Sequence, residues 1–354
     1  IPKLGLPKMR MSDGPVGVRN FGPTTAYPAT LALAASFSPE LGRRYGEAIG
    51  RDARARGVYI QLAPAVNLAR VPQNGRNFEY LGEDPLVAAR MAVGYIQGVQ
   101  SQGVSATVKH YVGNEHENDR NKDSSEIADR PLRELYLRPF EAAVSEGRVQ
   151  CVMSSYNLFR GTYTTANAPL VQGILKGEWG FAGIYMSDWG AAHETLGTVR
   201  NGLDLEMPGP EFMNAAAIMP LLKSGQVTEA MIDDKVRRIL RVAYTMGWDA
   251  GPQEDPTIGK PDPANEATAL DVARQGTVLL KNVGATLPLG PNTRRILVIG
   301  PNATPAVTGG GGSSYTDPTK PLSLAEAITK AAPAGTQVTV KRGVPDVTDA
   351  FAKT

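Results

Sequence analysis

Five short apolar runs, each ending in polar, glycine or proline residues, constrain this chain more than any other feature: VYIQLAPAVN (58–67), SATVKHYVG (105–113), QCVMSSYN (150–157), FAGIYMSD (181–188) and GLDLEMPG (202–209). Helical spacing accompanies them at about 38–56, 85–102, 132–146, 168–178, 190–201 and 213–246, and Pro or a Ser, Asp or Asn cap opens several of these stretches. Apolar strands that alternate with helices predict a parallel α/β architecture with strands buried on both faces. The polar residues choose between an open sheet and a barrel. Lys109 and His110, Ser154 to Asn157, Asp188 and Trp189, and Glu206 all fall where strands end. In a (β/α)8 barrel such ends converge on one mouth. A doubly wound sheet would more typically carry a Gly-rich phosphate turn after an early strand, and none stands there. The expected fold is therefore a TIM-like (β/α)8 barrel.

At 354 residues and 42% hydrophobic, the chain is longer than one average domain requires. After MGWD (246–249) comes GPQEDPTIGKPDPANEA, with prolines at 252, 256, 261 and 263 that extend the chain and resist helix. This places the barrel at 1–249, a Pro-rich linker at 250–264 and a second α/β domain at 265–354. In the second domain ATALDVARQGTVLLKN reads as helix into strand, and RRILVIGPNA as a buried strand and turn. With about 90 residues and no closing signal at FAKT, it reads as incomplete. Gly309–Gly312 with Ser313 and Ser314 reads as a mobile loop near the barrel mouth.

Several function classes are disfavoured. The 37 Lys+Arg and 35 Asp+Glu leave a formal charge of +2 with no long run of one sign, so nothing points to nucleic acid or a charged membrane surface. No apolar segment approaches bilayer length, and the reading is of a soluble chain. It starts at Ile1, in IPKLGLPKMRMSDG, which reads like the middle of a domain. That start leaves room for a removed leader, from which alone a secreted or periplasmic location would follow. Composition assigns neither compartment nor oligomeric state. The single cysteine, Cys151, has no intrachain partner and reads as a packed core thiol. His110 and His116, six apart, match no common helical metal pair, and His193 stands alone. The GGGGSS tract lacks the Gly-Lys-Ser/Thr of a phosphate loop, and no Gly-x-Ser-x-Gly elbow occurs at a strand end. No metal or cofactor is implied.

What remains is a set of carboxylates, cations and aromatics. Neutral, hydroxyl-rich sugars are held by bidentate charged groups and by an aromatic face. The strand ends and the loops after them supply Asp13, Arg76, Lys109, His110, Arg120, Tyr156, Asp188 and Trp189. Glycosidic cleavage takes one carboxylate as nucleophile or base and a second carboxyl as general acid. Asp188, at a strand tip beside an indole and near several cations, suits the first role. Each residue also has a plainer reading. Asp188 would cap a helix starting near Trp189; Asp13 would form a turn before Gly-Pro. Arg76 and Arg120 would make solvated ion pairs with Glu79 or Glu117, and Trp189 and Tyr156 would be core aromatics.

MSDGPVGVR, GRNFEYLGEDP, TVKHYVGNEHENDR, VMSSYN and GIYMSDWGA, in this order and roughly at this spacing, resemble glycoside hydrolase family 3, the β-glucosidase-like family. The resemblance runs from residue 1 to about 250, and VLLKN, LPL and ILVIGPNA are similar to the start of that family's second, α/β sandwich domain. It implies a barrel that departs from strict regularity and a retaining, exo-acting β-glycosidase acting on terminal β-linked sugars. Motif by motif it implies Asp188 as nucleophile with Trp189 flanking the sugar, and Asp13 gripping hydroxyls at the far side of the ring. Arg76, Lys109, His110 and Arg120 become sugar-binding cations, and Tyr156 with Met153 line the same pocket. The family's β-glucosidase-like members take their acid/base glutamate from a part that would lie past residue 354, and no residue here matches it. Members with a His/Asp dyad read KHFPGHG where this chain reads KHYVGNEH, so His116 is a poor substitute. Glu194 and Glu206 are nominated by spacing alone. The family's first helix, expected before IPKLGLP, is also missing. Two further classes stay open: a sugar-binding module without catalysis, and an aldolase-like barrel with Lys109 as Schiff-base nucleophile.

Overall fold

A computed structural model of the chain describes residue 3 and residues 5–343. They divide into two compact units, one running up to Thr277 and including Gly310–Asp317, the other built from Val278–Gly309 and the chain from Pro318 onward.

In the first unit β1 (Arg10–Asp13), β2 (Val58–Leu62), β3 (Ser105–Tyr111), β4 (Cys151–Ser154) and β5 (Ile184–Met186) form one parallel sheet. Their order in space is their order in the chain. A doubly wound sheet reverses direction partway; this one keeps going, as the strands of a barrel do. The unit is TIM-like. The eightfold repeat is not met strand for strand, since five strands form this sheet among the described residues and the GLDLEMPG run joins only through a parallel bridge from Met186 to Leu205. β2, β3, β4 and β5 are buried throughout, which is why they read as continuous apolar runs. β1, with the sequence RMSD, is partly exposed and offers no apolar run to read.

Helix α1 (Pro39–Arg54) starts where the Ser38 hydroxyl accepts from the Leu41 N–H at 3.2 Å, and α2 (Pro85–Ser101) where Asp84 accepts from Leu86 and Val87. The two pack backbone to backbone: a Cβ on Gly46 would lie 2.1 Å from the Tyr95 carbonyl oxygen, and one on Gly98 the same 2.1 Å from that of Arg43. The helical run expected at 213–246 is two helices, Ala215–Lys223 and Glu229–Thr245, because the chain turns at Gly225 and Thr228 caps the second. The helix expected from 190 begins only at Thr195, capped by the Glu194 carboxylate. Pro263–Gly276, mostly assigned to the second domain by its sequence, packs in the first unit. Arg51 pairs with Asp262 at 3.0 Å and Arg44 with Asp271 at 2.6 Å, which ties this helix to α1. Cys151 is fully buried, and burial pushes its thiol up to about 12.

In the second unit β6 (Arg295–Ile299) and β7 (Gln337–Lys341) pair in parallel, and a helix at Leu324–Ala331 opens with a Ser323/Glu326 capping box. β6 was expected to be buried, yet Leu297 is 59% and Ile299 60% exposed. VLLKN forms no strand, and Leu280 is 91% exposed. The apolar pattern of β6 suits a strand covered on both faces, whereas among the described residues β7 is its one partner. Residues 344–354, over which the expected second domain extends, lie outside the described residues. No described helix is long and apolar enough to cross a membrane.

Candidate active site

The strand ends of the first unit surround a cavity of about 660 Å3, and Asp13, Arg76, Lys109, His110, Arg120, Met153, Tyr156, Asp188 and Trp189 all line it. Asp13 closes β1, Lys109 and His110 lie in β3, Met153 lies in β4 and Tyr156 just past it, and Asp188 follows β5. Consecutive strand residues normally face opposite ways. The register of β3 against β4 shifts between Val108 and Tyr111, and at this irregularity Lys109 and His110 both reach the cavity.

Asp188 is held by its backbone and by one carboxylate oxygen. Its N–H donates to the Ser154 hydroxyl at 3.1 Å, and its Oδ1 accepts from the Trp189 N–H at 2.7 Å. Oδ2 is buried and makes no hydrogen bond of good geometry among the described residues, although the Tyr156 hydroxyl lies near enough to Asp188 to favour its carboxylate as a donor. No helix begins at Trp189, so the capping role has no helix to serve. Burial raises the Asp188 carboxyl above the ordinary aspartate range, against the opposing pull of Lys109, Arg76, the Trp189 N–H and Tyr156. Trp189 is 60% exposed and so is a wall of the cavity and not a core aromatic.

The cations are arrayed around this group. Lys109, 2% exposed, pairs with Asp13 at 3.7 Å, and Arg19 reaches the other oxygen of Asp13 at 3.8 Å. Lys109 is thus engaged with a carboxylate, an arrangement that does not set its amine apart as a Schiff-base nucleophile. The Arg76 pair with Glu79 is buried, not solvated, and Arg76 Nη2 lies 2.8 Å from His110 Nε2. Glu117 pairs with Arg76 at 3.8 Å and with Arg120, whose guanidinium stacks 4.1 Å from the Tyr156 ring centroid. Burial together with Arg76, Lys109 and Arg120 pushes His110 well below the usual imidazole range, which keeps it neutral. His116 lies elsewhere, paired with Asp123 at 2.8 Å, and His193 stacks on Tyr163.

Arg19, Arg76, Lys109 and Arg120 face Asp13, Glu79, Glu117 and Asp188 in the lining, four charges of each sign. A balanced, bidentate lining suits a neutral polyhydroxy ligand better than a phosphate. Apart from Asp188, each of these carboxyls is held by cations. Asp13 and Glu117 are each ion-paired twice. Burial would raise Glu79, but Arg76 and Lys109 outweigh it and hold the carboxylate low. The two carboxylates nominated by spacing are occupied by backbone: Glu194 caps its helix, and Glu206 accepts from the N–H groups of Glu211, Phe212 and Met213. Among the described residues no group of three or more His, Cys, Asp or Glu is placed to hold a metal.

Sequence reasoning missed several lining residues. Glu79 was seen only as a partner for Arg76, although its spacing three residues on in GRNFEY was the available signal. Arg19, Asn20 and Phe78 carried none. The Gly-rich tract, read as a mobile loop, forms part of the wall: Ser314 is 1% exposed and donates to Glu79, and a Cβ on Gly310 would come within 2.6 Å of the Phe78 ring. Asn67, behind the wall, bonds His110 on two sides.

Residues 2–242 match the family model described as glycosyl hydrolase family 3 N terminal domain, and residues 277–353 match the C-terminal domain of the same family. The chain is 43% identical over 321 residues to a beta-glucosidase of Rhizobium radiobacter, covering 89% of this chain and 39% of that protein. It is 39% identical over 359 residues to beta-glucosidase BoGH3A of Bacteroides ovatus, covering 92% of this chain and 48% of the relative. The chain thus spans less than half the length of these curated relatives. Among solved structures, beta-glucosidase 3B of Thermotoga neapolitana in complex with glycerol superposes with a TM-score of 0.88 at 35% identity, over 99% of this chain and 50% of that one. The beta-D-glucoside glucohydrolase of Trichoderma reesei does so with 0.91 at 33% identity, over 97% and 52%.

Proposed function

The chain belongs to glycosyl hydrolase family 3, and from that premise we propose that it carries the nucleophile of a retaining, exo-acting β-glucosidase-like enzyme. The observation that carries this reading is the buried Oδ2 of Asp188, without a hydrogen bond of good geometry, in a charge-balanced cavity. In this account Oδ2 attacks the anomeric carbon of a terminal β-linked sugar, the bond to the aglycone oxygen breaks, and a glycosyl ester forms on Asp188. Water then cleaves the ester with net retention. Asp13, Arg76, Lys109, His110 and Arg120 hold the sugar hydroxyls, and Met153, Tyr156 and Trp189 shape the apolar walls of the site. The barrel is the catalytic part, and helix Pro263–Gly276 goes with it.

Among the described lining residues every carboxyl but Asp188 is held by cations, so the test takes a substrate whose leaving group needs little protonation. A nitrophenolate departs with little protonation, whereas an ordinary sugar alcohol does not. We expect this chain to release nitrophenol from an aryl β-glucoside, to leave the α anomer untouched and to be slow on disaccharides. Release from the α anomer instead would overturn the reading. A second reading is a sugar-binding fragment with impaired or no catalysis. Calorimetric binding of glucose without turnover of either aryl glucoside would select it.

A further inference from the structure

Asn67 sits between partners whose hydrogen-bonding roles are fixed. Its Oδ1 lies 2.8 Å from the backbone nitrogen of His110 and 3.1 Å from the ring Nδ1. Its Nδ2 lies 3.1 Å from the His110 carbonyl oxygen and 3.3 Å from Glu115 Oε1. A backbone N–H only donates and a backbone carbonyl only accepts, so the orientation of the Asn67 amide is determined by its surroundings. An accepting Oδ1 requires the proton of His110 on Nδ1. On the far side of the ring, Nε2 lies 2.8 Å from an Arg76 guanidinium that can only donate, and so Nε2 must accept. Both contacts demand the same tautomer, with Nδ1 protonated and Nε2 bare.

The consequence falls on Asp188. His110 Nε2 is 3.6 Å from Asp188 Oδ2, the oxygen that makes no hydrogen bond of good geometry among the described residues. The opposite tautomer would set an N–H against the Arg76 donor and bring a second donor to within 3.6 Å of that oxygen, just beyond hydrogen-bond reach. We propose that Asn67, anchored by Glu115, is a positioning residue that acts with Arg76 to hold His110 in the Nδ1–H tautomer and so keeps an imidazole N–H away from Asp188 Oδ2. The catalytic half of this proposal rests on the reading of Asp188 as nucleophile; the tautomer does not.

Long-range proton–nitrogen correlation spectra of the 15N-labelled protein distinguish the two tautomers, and loss of one signal set in His110→Gln identifies His110 among the three histidines. In the unmodified protein His110 is expected as neutral Nδ1–H at pH 7. In Asn67→Ala, where Arg76 still favours a bare Nε2, a minor part of that signal moves to the Nε2–H form and kcat falls severalfold with KM little changed; in Asn67→Ala combined with Arg76→Met, where neither contact remains, most of the signal moves. Asn67→Asp keeps an acceptor at Oδ and retains the Nδ1–H form. If the alanine variant does not fold, Asn67→Ser, too short to reach the ring, gives the same readout. An Nε2–H or doubly protonated His110 in the unmodified protein would overturn the proposal. So would a tautomer unchanged when Asn67 is shortened and Arg76 is replaced by Met together, even if Asp188 proves to be the nucleophile.

Discussion

Asp188→Ala should reduce nitrophenol release from an aryl β-glucoside to background, a loss on the order of 10⁴ or more, as expected when a covalent nucleophile is removed. The expectation follows from the environment of this one side chain. Oδ1 is bound by the Trp189 N–H, which orients the carboxylate, and Oδ2 makes no hydrogen bond of good geometry among the described residues. The side chain caps no helix, so truncation removes chemistry without removing a structural contact of comparable weight. The circular dichroism spectrum and melting temperature should stay near those of the unmodified protein. Activity at the unmodified level would end the assignment of Asp188.

Lys109→Met carries the second largest effect. The ammonium is buried, pairs with Asp13 and lowers the Asp188 carboxyl, which burial otherwise raises. Methionine fills much of the space but leaves Asp13 without its closest buried cation. Breaking a fully buried pair by removing one partner costs roughly 3–5 kcal/mol, and this pair, with Asp13 26% exposed, should cost less. Part of that falls on sugar binding, so kcat/KM at neutral pH should drop by about 10²-fold to 10³-fold. The pH dependence supplies a readout that misfolding would not mimic. Asp188 attacks only as the carboxylate, so kcat/KM falls as pH drops through the titration of Asp188 in the free protein. Because burial raises that titration, the acidic limb should lie above the ordinary aspartate range in the unmodified protein. Without Lys109 one of the two opposing cations is gone, and the limb should move to still higher pH. A limb that stays put, or moves down, would show that the titrating group is not Asp188.

Much of the barrel was legible because its strands are buried on both faces, and burial on both faces writes a continuous apolar run. β2, β3, β4 and β5 follow that rule. β1 escaped because RMSD has too few apolar residues to register as a run. Helix starts were legible where a cap and a proline coincide, as at Ser38-Pro39 and Asp84-Pro85. They were misplaced at 190, where a strand tip is followed by several residues of loop before Glu194 caps the helix. The site was legible to the extent that charged residues at strand ends are unusual. Ends of parallel strands meet at one mouth, so residues as far apart as Asp13 and Asp188 share a cavity. Groups that act behind that wall left no such mark. Asn67, in AVNLAR, has nothing in its neighbours to say that it faces His110, because the contact is made across 43 positions. Ser314 was hidden for the opposite reason: a run of glycines signals freedom in an isolated chain, while its seat against Glu79 is a tertiary fact.

The central claim is that Asp188 forms a covalent bond to the sugar, and one measurement addresses it directly. An aryl β-glucoside with fluorine at carbon 2 and a strongly acidic leaving group slows hydrolysis of the glycosyl ester more than its formation. The intact mass after incubation should rise by one fluoroglucosyl unit, and peptide mapping should place that unit on the fragment containing Asp188. An adduct on any other carboxylate, Glu206 or Glu79 included, or turnover of the reagent with no adduct at all, would contradict the account.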